Sequence, residues 1–166
     1  MSAATDAELA YVDQVGRYFA RQYNVPPVSG RVCGWLLICE PPEQTAAEIA
    51  EALGISRSAV GSAVTMLENW TVVQRRRPPG ERADKIGVHA AFGEAGLVSP
   101  AEYGALRALA VAGLELLRDS PPARRTRLLE MVAFTDFLLE RLPALAEEWR
   151  ARRDALRASG ALPHHD

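Results

Sequence analysis

The sequence predicts a mainly α-helical chain interrupted by one small β-hairpin, and three observations carry that prediction. Apolar residues recur at helical spacing through most of its 166 residues. Two short helical patterns meet at a turn centred on Gly54. A Val-Val-Gln-Arg-Arg-Arg run, broken by Pro78-Pro79-Gly80, can return through Lys85 to Val88 as its own partner strand.

Each element has a local cause. Thr5 and Glu8 form a capping box, in which the hydroxyl and the carboxylate satisfy each other's free backbone amides. They open a helix whose stripe is Leu9, Val12, Gly16, Phe19 and Tyr23. Pro26-Pro27 ends that segment, and Ser29 is the expected cap of a second helix with Val32, Trp35, Leu36 and Cys39. Pro41-Pro42 separates it from a second capping box, Thr45 with Glu48. Ile49 and Leu53 then share one helix face, and Gly54 supplies the positive φ that lets the chain leave the last turn. Ile55 fills the turn, Ser56 caps the next helix, and Val60, Val64 and Leu67 form its buried stripe.

Beyond the hairpin, HAAFGEAGLV reads as a linker. Ser99-Pro100-Ala101-Glu102 is a helix start, and that helix carries Leu106, Leu109, Gly113, Leu116 and Leu117. Ser120-Pro121-Pro122 precedes a last long helix with Leu128, Val132, Thr135, Leu139, Leu142 and Trp149. A kink or restart is expected at Pro143, which removes an interior hydrogen bond. The expected architecture is therefore a winged helix-turn-helix flanked by N- and C-terminal dimerisation helices. Its parts are an N-terminal helix (1–24), the winged module (27–90), a C-terminal helical region (99–158) and a disordered tail (159–166).

Composition narrows the class. Hydrophobic residues make up 48% of the chain, enough for a core, yet no apolar run reaches membrane-spanning length. The N-terminus lacks the basic stretch and apolar centre of a signal peptide, so a cytoplasmic protein is expected. Two cysteines in such a chain argue for free thiols. The net charge is −2, but residues 56–85 hold six basic side chains (Arg57, Arg75, Arg76, Arg77, Arg82, Lys85) against three acidic ones (Glu68, Glu81, Asp84). That segment is therefore +3, a basic face on an acidic body.

Those residues point to duplex DNA. The helix after the turn carries Arg57, Ser58, Gly61, Ser62 and Thr65 on the face opposite its apolar stripe. A helix entering the major groove needs little bulk there and a few donors for base edges. An ordinary solvated face would more often carry Glu and Lys. The assignment is base contact for Arg57, Ser58, Ser62 and Thr65, with Arg57 the strongest reader, and the cap residue Ser56 counts with them among the DNA-binding residues. Arg75, Arg76 and Arg77 are assigned to phosphates and Arg82 at the hairpin tip to a minor groove, with Lys85 also counted as DNA-binding.

The chain resembles the MarR-type winged-helix transcriptional regulators, most of all the GbsR-like branch and related repressors of mycobacterial lipid exporters. The resemblance rests on Gly30-Arg31 with Gly34-Trp35-Leu36-Leu37, on AEIAEALGISRSAV and on the Gly80-Glu81-Arg82 hairpin tip. The family's wing usually reads Gly-Asp-Arg followed by aromatics; here Glu81 replaces the Asp, and Lys85-Ile86 stand where aromatics are common. The resemblance implies a homodimer with intertwined terminal helices, acting as a repressor on a pseudo-palindromic operator. It also implies an amphipathic or hydrophobic small-molecule effector bound between dimerisation helices and winged module. Phe19, Tyr23, Arg31, Trp35 and Phe92 are the candidate effector residues, against the plainer reading that they are core and that Arg31 binds a carboxylate or a backbone carbonyl.

Other functions have less behind them. Cys33 and Cys39 raise redox sensing, but on one helix they would point about 120° apart. His164-His165 sits at the terminus, far from His89, which supports no built metal site. No phosphate loop, nucleophile elbow or carboxylate pair suggests an enzyme or a cofactor. The main rival is a winged-helix protein-interaction module without specific DNA binding, which has no need of this cation density.

Overall fold

The computed structural model describes residues 4–90, 92 and 100–162. The chain divides into two compact units at Ala95–Gly96. The first holds helices α1 (Asp6–Tyr23), α2 (Pro27–Leu36), α3 (Ala46–Leu53) and α4 (Arg57–Asn69), then strands β1 (Val73–Arg76) and β2 (Lys85–Val88). The second holds α5 (Pro100–Leu116) and α6 (Pro122–Ala158).

Both capping boxes form as the sequence dictates: Thr5 and Thr45 accept from the amides of Glu8 and Glu48, whose carboxylates return to the threonine amides. Gly54 closes α3 at φ 62, and Ser56 Oγ accepts from the Ala59 amide at 3.1 Å. The second helix departs from expectation. It starts at Pro27, with no side-chain cap, and Ser29 lies buried inside it with Oγ 3.5 Å from Met66 Sδ. Proline at the first helical position needs no partner for a missing amide and already has the helical φ, so no hydroxyl cap is required. The same helix ends at Leu36, leaving Cys39 beyond it. Leu37 caps it through its own amide, and the Cys39 amide closes back on Trp35 O at 2.8 Å.

Val12, Phe19, Val32, Trp35, Ile49, Leu53, Val60, Val64, Leu67, Val73 and Ile86 form one core in the first unit. The α1–α2 crossing explains the Gly-Arg-x-x-Gly-Trp motif. A Cβ on Gly30 would stand 2.7 Å from Phe19 Cβ and 2.8 Å from the Val15 carbonyl, so only glycine lets these backbones meet. Arg31 lies over Gly16 and donates to Asp13 at 2.8 Å. Its other end reaches the Leu53 carbonyl at 3.5 Å, where α3 terminates. Trp35 donates to the buried Gln44 at 2.8 Å.

The strands pair antiparallel, from Val73 opposite Val88 to Arg76 opposite Lys85. Gln44 adds a third rung on the far side of β2, exchanging backbone hydrogen bonds with Ile86 in both directions. In the second unit α5 and α6 pack on each other, with Leu128 seated where Gly113 lacks a side chain. The last helix does not restart at Pro143 but runs through it. Leu109, Leu116, Phe134 and Phe137 are exposed on this pair. The expected Ser99 cap, most of the linker and residues 163–166 of the tail lie outside the described residues.

Candidate nucleic-acid interface

The turn and the buried stripe of α4 decide which of its residues face outward. Val60, Val64 and Leu67 are fully buried, which leaves Arg57, Ser58, Ser62 and Thr65 exposed on the other side. Ser56, also exposed, spends its hydroxyl on the cap and lies 3.0 Å from Ser58 Oγ. Gly61 sits in the middle of this face, and among the described residues nothing beyond its own helix backbone and chain neighbours stands within 4 Å of the Cβ it lacks. Thr65 Oγ1 donates to the Gly61 carbonyl at 3.0 Å, so its hydroxyl is held along the helix.

The hairpin presents its cations in a different state from the one its sequence implies. Arg75 Nε lies 3.1 Å from Glu68, Arg76 Nε donates to Glu43 at 2.9 Å, and Arg77 Nε donates to Asp84 at 2.8 Å. Lys85 stands 3.5 Å from Glu48 and is only 20% exposed. That pair ties β2 to the start of α3; the hydrogen bond from the Thr45 amide, and after it Lys85, hold the Glu48 carboxyl below its usual range. Arg76 and Arg77 are each 63% exposed, so their guanidinium groups are free to exchange an acid for a phosphate. Among the described residues Arg57 and Arg82 have no acidic partner. Arg82 projects from the turn in which Gly80 adopts φ 84.

Sequence reasoning missed the acids Glu43, Glu68 and Asp84 as partners of the arginine run. Arg76 and Glu43 are 33 residues apart, and no periodicity links them. The cue within reach was the charge count of the hairpin, where Asp84 stands next to Lys85.

The five effector candidates do not share one environment. Phe19 and Trp35 belong to the core, and Phe92 packs on it partly buried. Arg31 is engaged by Asp13 and the Leu53 carbonyl, the plainer of its two expected roles. Tyr23 is half exposed and joins an aromatic string, 5.3 Å from Phe19 and 5.7 Å from Trp70 between ring centroids. Cys33 and Cys39 are buried free thiols whose pKa values burial pushes up to about 11, which suppresses the reactive thiolate. Among the described residues no group of His, Cys, Asp and Glu could hold a metal, and no helix is long and apolar enough to cross a membrane.

Four helices in this order, a capped helix–turn–helix and an adjoining basic hairpin define a winged helix-turn-helix protein. A family model described as the MmpR5-like MarR family transcriptional regulator matches residues 91–152. The HTH-type transcriptional regulator MmpR5 of Mycobacterium tuberculosis is 32% identical over 124 residues, 74% of each chain. A crystal structure of a transcriptional regulator superposes with a TM-score of 0.79 at 27% identity, covering 87% of this chain and 99% of that one. The chain belongs to the MarR family of transcriptional regulators, in its MmpR5-like branch.

Proposed function

We propose that this regulator works as a homodimer, reads a pseudo-palindromic operator and represses transcription until an amphipathic small molecule binds. The observation that carries the reading is the pairing pattern of its cations. Arg57 on α4 and Arg82 at the hairpin tip have no acidic partner among the described residues, and they stand where base and minor-groove contacts fall in a winged helix. Ser58, Ser62 and Thr65 complete the base-facing side, and Arg75, Arg76 and Arg77 supply phosphate contacts. Lys85 serves the wing mainly by holding β2 to Glu48.

Dimerisation is supported by Leu109, Leu116, Phe134 and Phe137, apolar side chains that the α5–α6 pair leaves exposed. One recognition helix contacts too few base pairs for tight operator binding, and two-fold symmetry doubles them. For the effector, Tyr23 is the accessible end of the aromatic set, and a ligand there need only favour one of two arrangements of the dimer.

Selection from random-sequence duplexes, followed by footprinting, tests the reading. The expected result is an inverted repeat whose half-sites lie roughly 34–36 Å apart on one face of the duplex. Enrichment of one undivided site would overturn the dimeric operator reading, and enrichment of no sequence would favour a protein-interaction module.

A further inference from the structure

We propose that Glu68, an acid facing the DNA side, is a positioning residue for operator recognition that acts through Arg75. The inference rests on the DNA-binding reading above. Of the three consecutive arginines only Arg75 touches α4: Arg76 and Arg77 pair with Glu43 and Asp84, which lie outside that helix. Arg75 reaches it twice, with Nε 3.1 Å from Glu68 Oε2 and Nη2 donating to Thr65 Oγ1 at 3.3 Å. Thr65 in turn donates to the Gly61 carbonyl. One planar guanidinium thus fixes the first strand of the wing against the last turns of the recognition helix. One of its five donors is spent on the hydrogen bond to Thr65 and Nε faces Glu68 as an ion pair, which leaves the other N–H groups available to a phosphate at a fixed place. Lysine has one compact ammonium and cannot hold this fork.

The chemistry makes the sign of the effect diagnostic. By charge alone, an acid near a polyanion weakens binding, so its removal should tighten DNA of every sequence. If Glu68 instead sets the angle between wing and helix, its removal should loosen the operator selectively. The pair is about one-third exposed on each side (37% and 31%), so Glu68→Gln leaves the fold intact.

The experiment compares fluorescence anisotropy on an operator selected by the wild-type protein with that on a scrambled duplex at the same salt. Glu68→Gln is expected to weaken operator binding about fivefold while leaving scrambled DNA unchanged or tighter. Arg75→Lys should lose the same preference, and the double variant should lose no more than Arg75→Lys alone. Equal tightening on both duplexes, or equal weakening on both, would overturn the role of Glu68 while leaving the DNA reading in place. Failure of the wild-type protein to select any sequence would instead remove that reading, and this inference with it.

Discussion

Gly61 stands at the centre of the outward face of α4, and among the described residues a methyl group added there would meet no atom beyond its own helix backbone and chain neighbours within 4 Å. No contact among the described residues explains a glycine in the middle of this helix, where it costs roughly 0.5–1 kcal/mol relative to alanine. The proposed approach of this face to a groove floor would explain it. Gly61→Ala should therefore raise stability in thermal unfolding by about that amount and lower operator affinity. A variant that gained stability with no loss of affinity would place the groove elsewhere. At this scale the sequence was legible wherever a single backbone demand selects a residue type, as at Thr5, Thr45, Gly54 and Ser56. It was not legible at Ser29, where a proline at the first helical position displaced the expected cap.

Among the elements, the winged module is held by interactions that converge on one carboxylate. Glu48 closes the capping box of α3 and receives Lys85 from β2, so a single charge ties a helix start to a strand. The bond from the Thr45 amide, then the neighbouring Lys85, hold its carboxyl below the ordinary value of 4.5. A lowered folded-state pKa means that the stabilisation is fully present above the ordinary value and lost as pH falls through the lower one. Thermal stability should accordingly fall on the acid side, and Glu48→Gln should flatten that limb while lowering stability near neutral pH. An unchanged acid limb in the variant would show that Glu48 is not the group responsible. The hairpin itself followed from the Pro-Pro-Gly break and from the Lys85 to Val88 run that returns after it. Its third rung, Gln44 on Ile86, did not: an isolated pairing with a residue before the helix-turn-helix leaves no pattern in the chain. The same reason hides the acids that neutralise the arginine run, since sequence shows charges and only folding shows which of them meet.

For the whole molecule, the chain forms two units, four helices and the hairpin in the first and a long helical pair in the second. The segment 56–85 concentrates positive charge on an otherwise acidic protein, which orients a polyanion toward one surface. Ion pairing reduces that field, because Arg75, Arg76, Arg77 and Lys85 each face an acid, and it leaves Arg57 and Arg82 as the cations without such a partner among the described residues of that segment. In the proposed complex these two arginines engage DNA in different ways, Arg57 at base edges and Arg82 in a minor groove. That difference is tested most directly by fluorescence anisotropy on the selected operator across a salt series, with wild type, Arg57→Ala and Arg82→Ala. Arg82→Ala should weaken binding and flatten the salt slope by about one unit per chain. Arg57→Ala should relax sequence preference, by about 1–3 kcal/mol for each base edge that the arginine no longer reads. A shallow slope in the wild type, or two variants indistinguishable from it, would contradict the account.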